Sequence, residues 1–368
     1  MRWSGALLLG LTSLAAPAFC ERWQMQYFYD EDKTSLSIVD IKFPSARRGI
    51  AVGYTEERDS MKPVSLITDD GGAHWTLSPI KEQPLSLFFF NDSLGWMVTA
   101  KGIWQTEEAG RTWRKKKAPQ GIIRVYFTTP DRGWAIGIKN QVYTTTSGGD
   151  AWEKLAVVET IKARAEFTTY AAIDFTGSEI GLIAGWNRPP RRTDSFVPEW
   201  ADPQSASHRR AWPGITIVLD TRDGGTNWTP TTASIFGQVT QVRLTPQGGG
   251  LALIEHPGTF EYPSEVTLLN WKTGKSTSAY RDPARHVTDI GIVAQGAMYI
   301  AAVEQTGRLH ATPIPTKVIL LKSDDSGEHW TEQDADYRAV ARAVRLAISP
   351  AGGVWAATDT GMILKLIP

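Results

Sequence analysis

Short apolar runs, broken by Gly, Pro, Asp and Ser, recur along this chain in a fixed order: an apolar strand, a turn, then a Gly followed by small and apolar residues. The Gly-led runs read Gly49-Ile-Ala-Val-Gly53, Gly95-Trp-Met-Val98, Gly133-Trp-Ala-Ile-Gly137, Gly181-Leu-Ile-Ala-Gly185, Gly250-Leu-Ala-Leu253, Gly296-Ala-Met-Tyr-Ile-Ala301 and Gly353-Val-Trp-Ala-Ala357. Runs of this length between such breakers predict strands. Their starts lie 38 to 69 residues apart, which fits a four-stranded repeat with loops of variable length. In the second unit the strands are expected at residues 85–90, 95–99 and 102–106, with a fourth beginning at Trp113. Small residues on the second strands suggest positions near a crowded central axis.

Five units carry the same box of eight residues between their third and fourth strands. It reads Thr68-x-Asp70-x-Gly72-x-x-Trp75, Thr106-x-Glu108-x-Gly110-x-x-Trp113, Thr145-x-Ser147-x-Gly149-x-x-Trp152, Thr221-x-Asp223-x-Gly225-x-x-Trp228 and Ser323-x-Asp325-x-Gly327-x-x-Trp330. A hairpin that doubles back must adopt positive φ and satisfy its freed amides. Glycine supplies the first, and the Thr hydroxyl and Asp carboxylate supply acceptors for the second. The box residues are therefore expected to be structural, with the Trp opening the fourth strand.

The fifth unit keeps only a Gly-bearing hairpin at Gly274, and the seventh stops after its third strand. The missing fourth strand is assigned to residues 22–28, with Trp23 where a box has its Trp. Closure of this kind joins the chain ends and removes an open sheet edge. The expectation is an all-β, seven-bladed β-propeller of four-stranded antiparallel blades over residues 19–368, closed by the N-terminal strand.

The box, Ser/Thr-x-Asp-x-Gly-x-x-Trp, resembles the Asp-box (bacterial neuraminidase repeat) of sialidases, sortilin-type receptors, some glucanases and the photosystem II assembly and stability factors. That last family fits best, because it shares export, seven blades and the Gly-Trp-Ala-x-Gly strand before a boxed hairpin. The resemblance implies a non-catalytic propeller that binds a membrane-protein assembly intermediate through an arginine-rich patch. Photosynthesis itself is not implied.

Residues 1–18 read as an export signal: Arg2, an apolar run from Ala6 to Ala16 too short to span a bilayer, and Ala16-Pro17-Ala18 as the cleavage site. Cys20 raises the alternative of a lipid anchor, against which the bulky Phe19 argues. The expected location is periplasmic or extracellular, and no later stretch suits a membrane helix. With 39 basic and 39 acidic residues the chain carries no global signature for nucleic acid. A single cysteine rules out an internal disulfide, so the core alone must hold the exported fold.

No catalytic set, cofactor or metal is expected. Asp324-Asp325-Ser326-Gly327 and Thr68-Asp69-Asp70-Gly71 lack the alternating ligands of a calcium loop. His74 and His329 share a box position in different units, too far apart to hold one metal. The competing reading is a glycoside hydrolase or glycan-binding module, with Glu199 and Asp202 as candidate carboxylates. Against it stands the insertion at residues 186–214 in blade 4, on the face opposite the boxes, which carries Arg188, Arg191, Arg192, Trp200, Arg209 and Arg210. Arginine and tryptophan concentrate binding energy at protein interfaces, which points to a protein partner, a membrane-protein complex by the family resemblance. A second basic cluster, Arg111 with 114–117, is expected on an outer strand, where it guards the edge. The leader reading is checked by mass spectrometry of the exported chain, which should begin at Phe19 without lipid on Cys20. Retained residues 1–18, or a diacylglyceryl adduct, would contradict it.

Overall fold

The computed structural model describes residues 21–58, 60–189, 213–257, 260–270, 273–304, 316–335 and 340–367. The leader and Cys20 lie outside the described residues, and the described strands form seven antiparallel sheets arranged as a propeller. Blade 1 has strands Ser35–Lys42, Gly49–Glu57, Ser60–Thr68 and Thr76–Pro79, hydrogen-bonded in that order. Blades 2 to 5 repeat the pattern. Blade 6 adds a short pairing of Val340–Ala341 with its third strand. No helix among the described residues is long and apolar enough to cross a membrane.

The first strand of each blade packs against the first strands of its two neighbours, so these strands line the axis. The apolar core lies between the blades. It divides into seven clusters, one at each junction, so every blade buries both faces of its sheet. At the junction that closes the ring, Leu36, Ile38 and Phe43 of blade 1 meet Trp355, Ala357 and Ile363 of blade 7.

Small residues on the second strands have a different cause from the expected crowding at the axis. Gly49, Gly95, Gly133 and Gly181 face an aromatic ring at the end of the blade's own first strand, and Gly53, Gly137, Gly185 and Gly250 face that strand's backbone. A Cβ at position 133 would stand 2.4 Å from the Phe127 ring. In blades 6 and 7 the expected leading glycines are turn residues, and the second strands begin at Met298 and Val354. Gly296 instead closes a turn, its N–H donating to the Val293 carbonyl at 2.9 Å.

The box explains how neighbouring blades are fastened. In each copy the hydroxyl of the first residue is buried and accepts the N–H of the box glycine: Gly72 to Thr68 at 3.0 Å, Gly110 to Thr106 at 2.9 Å, Gly149 to Thr145 at 3.1 Å, Gly225 to Thr221 at 2.9 Å and Gly327 to Ser323 at 2.8 Å. Asp70, Asp223 and Asp325 each accept that hydroxyl's proton and a backbone N–H four residues on. Ser147 accepts the Ala151 N–H, whereas the longer Glu108 bonds the Thr112 hydroxyl. The backbone N–H of Asn227, then its side chain, pulls the Asp223 carboxyl down to about 2. His74 and His329 are each hydrogen-bonded at 2.6 Å to the Asp of their own box.

Over three of the five box turns lies a tryptophan from the preceding blade, and over the other two lie Ile50, against Gly110, and Leu268, against Gly327. Trp355 stacks on Phe43 at 3.6 Å between centroids and donates to the Gly71 carbonyl; Trp96 stacks on Phe127 at 3.7 Å and donates to the Gly148 carbonyl. Trp134 stacks on Phe175 at 4.6 Å, and a Cβ at position 225 would collide with its ring at 2.2 Å. Box residues Trp75, Trp152 and Trp228 meet the same three phenylalanines edge-on.

Strand Arg22–Phe28 pairs antiparallel with Met362–Ile367 and completes blade 7. Trp23 faces Leu366, next to the Lys365 that faces Trp355, just as Thr106 follows the Gln105 that faces Trp96. Trp23 therefore occupies a box-tryptophan position, and it is 4% exposed. Replacing Trp23 with Ala should cost about 3–5 kcal/mol. Denaturant unfolding checks this, and an unchanged midpoint would contradict closure by this strand.

Candidate functional site

Antiparallel strands put the turns between first and second strands on the same face as the boxes, and the two are bonded. Gly71 donates to Arg47, Ala109 to Ser93, Gly148 to Asp131 and Gly224 to Glu179, at 2.7 to 2.9 Å. The opposite face carries the turns between second and third strands, including the blade 4 insertion. Arg191, Arg192, Trp200, Arg209 and Arg210 lie outside the described residues, as do Glu199 and Asp202.

The stem of the insertion is well defined. Asn187 is buried and donates through Nδ2 to the Arg164 carbonyl and the Thr168 hydroxyl, both at 2.8 Å. The N–H of Arg188 bonds the Phe167 carbonyl at 3.0 Å. Around this stem lie exposed residues that sequence reasoning passed over: Ile138 and Lys139 in the blade 3 turn, and Lys162 and Arg164 in the extension before blade 4. The extra length between Trp152 and the strand Thr168–Thr176 was the available signal.

The basic cluster of blade 2 falls on its outer strand, Arg114–Lys116, and is taken up by acids. Arg111 pairs with Asp69 of blade 1, Lys116 with Asp150 of blade 3 at 2.6 Å, and Lys115 with Glu82. Burial opposes ionisation of Glu82, but hydrogen bonds from Lys115, Thr99 and Trp104 pull it down to about 2. These charges tie blades together, leaving little for a ligand.

Sequence reasoning missed the axis itself. A cavity of about 550 Å³ opens there on the box face, walled by the ends of the first strands and the turns that follow them. Five of these strands carry a polar or charged group next to a bulge or irregularity, namely Asp40, Ser86, Arg124, Gln241 and Asp289, while blade 4 has Ala172 there and blade 7 brings Arg345 without a bulge. Two residues further on lie Lys42, Tyr126, Asp174 and Arg243.

Acids on this axis stitch blades together. Asp40 accepts the Leu87 N–H at 2.8 Å, Asp174 the Leu244 N–H at 2.7 Å and Asp289 the Leu346 N–H at 2.9 Å, each from another blade. Lys42 pairs with Asp40 at 2.6 Å, Arg243 reaches Asp289 at 3.5 Å, and Arg345 donates to the Thr288 carbonyl at 2.7 Å. Burial works against the Asp40 carboxylate, yet Lys42 and the Leu87 N–H hold it below the usual range. For Asp174 burial wins over Arg243 and the Leu244 N–H, and its carboxyl is pushed up to about 6. Burial lowers the Arg124 guanidinium.

No family model matches the chain. It is 23% identical over 305 residues to "Photosystem II stability/assembly factor HCF136, chloroplastic" of Arabidopsis thaliana, which covers 76% of this chain and 70% of that one. Among solved structures, "YCF48 bound to D1 peptide" superposes with a TM-score of 0.59 at 15% identity, covering 93% of this chain and 96% of the other. YCF48 from Cyanidioschyzon merolae gives the same TM-score and identity over 94% and 99%. The chain thus resembles the photosystem II assembly factors weakly in sequence and in its seven-bladed fold.

Because Asp174 is raised in the folded state, folding favours its protonated form. Stability should fall as pH rises from about 4, where the unfolded carboxyl ionises, to about 6, where the folded one does. Asp174→Asn keeps an acceptor for Leu244 and should remove this decline, leaving the variant as stable as the parent at pH 4 and more stable at pH 7. Melting curves across that range check it; a variant less stable at pH 7 would contradict it.

Proposed function

We propose that this chain is an exported, non-catalytic propeller that acts as an assembly or stability factor by docking a protein partner from a membrane-associated complex. The observation that carries this reading is the likeness to HCF136 over 305 residues, in a fold shared with the structure of YCF48 bound to a D1 peptide. The docking element is the Arg/Trp-rich insertion of blade 4, with Lys139 and Lys162 beside its stem adding positive charge. Arginine-rich surfaces speed encounter with acidic segments and fix their register. Boxes serve folding, since their polar groups are spent on the turn and their glycines on the tryptophan overhead.

The competing reading is a glycoside hydrolase working through Glu199 and Asp202. On the axis, by contrast, each of the three acids accepts a backbone N–H from another blade, which suits structure better than a pair working as acid and base across a sugar.

Reversing Arg188, Arg191, Arg192, Arg209 and Arg210 to Glu should abolish recovery of the partner from a detergent-solubilised membrane fraction while leaving the melting temperature unchanged. Thr221→Val should lower stability through the orphaned Gly225 N–H, by about 1–3 kcal/mol, with recovery intact once folded. Turnover of an oligosaccharide panel, lost on replacing Glu199 or Asp202, would overturn the docking reading.

A further inference from the structure

Arg124 is an exception on the axis. Its neighbours are occupied, but the side chain of Arg124 makes no hydrogen bond or ion pair with any described residue. It lines the cavity within the electrostatic reach of Arg243 and Arg345, both of which repel it, and of Asp40 and Asp289, which attract it from a distance. A partly buried guanidinium with no hydrogen-bonding partner is costly.

We propose that the axial cavity is a binding site for a single carboxylate carried on an apolar body, with Arg124 as its ionic partner. The inference is independent of the blade 4 docking surface, which lies on the other face. Three features define the ligand. A guanidinium with open donors suits a planar, two-oxygen anion, which it can grip at two points. Asp174 lines the same cavity and Asp40 and Asp289 lie within electrostatic reach of Arg124, so a dianion such as a phosphate ester would meet more repulsion than a monoanion. Phe88, Phe90, Tyr126, Leu346 and Ile348 share the wall with Lys42 and Arg243, which favours an aromatic or aliphatic body carrying one negative charge. The volume of about 550 Å³ lies in the range that small-molecule sites use.

Such a carboxylate comes from a free apolar acid or from the end of a polypeptide, and the experiment separates them. The full chain is titrated calorimetrically with 3-phenylpropionate, with its amide as the uncharged match, and with a short apolar peptide bearing a free or an amidated C-terminus. The acid should bind roughly ten-fold or more tightly than the amide. Arg124→Gln should erase that preference while melting no lower than the parent, because it removes an unpaired charge. Asp174→Asn should tighten binding of the acid. Peptide binding that needs the free terminus assigns a polypeptide source; binding of the acid alone assigns a small molecule. Equal binding of acid and amide, no binding of either acid or peptide by folded protein, or an acid preference that survives Arg124→Gln would overturn the site. Should Arg124→Gln fail to fold, unchanged affinity in Asp174→Asn would count against it in the same way.

Discussion

The ring depends on one recurring contact, an apolar side chain of one blade pressed over the box turn of the next, and at three of the five boxes that side chain is a tryptophan. A propeller blade is a small sheet that cannot fold alone, because both of its faces are apolar and only its neighbours can cover them. The tryptophan satisfies this need and adds direction. Its ring stacks on a phenylalanine at the tip of the neighbour's first strand, and the box Trp closes the stack edge-on. Aromatic pairs of these geometries are worth about 0.5–1.5 kcal/mol each beyond the area they bury. At two junctions the indole N–H also donates to a box carbonyl. The junction from blade 7 to blade 1 uses the same contact as those inside the chain, so the ring closes without a special device. Where blade 1 meets blade 2, Ile50 replaces the tryptophan and lies against Gly110, with Phe89 and Trp113 keeping the edge-on pair.

Charge plays the matching part at the axis and along the outer edge. Axial aspartates accept backbone N–H groups freed at first strands of other blades, while lysine and arginine partners keep two of them compensated. Buried ion pairs stabilise weakly at best, but removing one partner is costly, and this enforces a particular arrangement of blades. Near the rim, Arg111 and Lys116 reach acids on either side of blade 2. Turns fastened to one another occupy one face, and loops free to vary in length occupy the other. The insertion is therefore rooted, at Asn187 and Gly214, on the face away from the boxes.

Much of this was legible in the sequence, for physical reasons. Seven Gly-led runs and five boxes set the blade count because the turn chemistry tolerates few substitutions. Trp23 could be placed because an incomplete seventh unit requires a strand. The reason for the small residues was not legible: Gly133 looks like an axial residue until Phe127 is seen to fill its space. Nor was the axis, since Arg124, Arg243 and Asp289 stand far apart in the chain and only ring closure brings them together. Pairing of the blade 2 cluster was hidden likewise, because Asp69 and Asp150 belong to other repeats.

The central claim is that the face bearing the insertion docks a protein. It is tested most directly by placing a photo-crosslinking residue in turn at Trp200, Lys162 and Asn227 and irradiating the chain with its native membrane fraction. Trp200, within the insertion, and Lys162, beside its stem, should yield an adduct with the same polypeptide, and Asn227, on the box face, should yield none. Adducts from Asn227 alone, or from none of the three with folded protein, would contradict it.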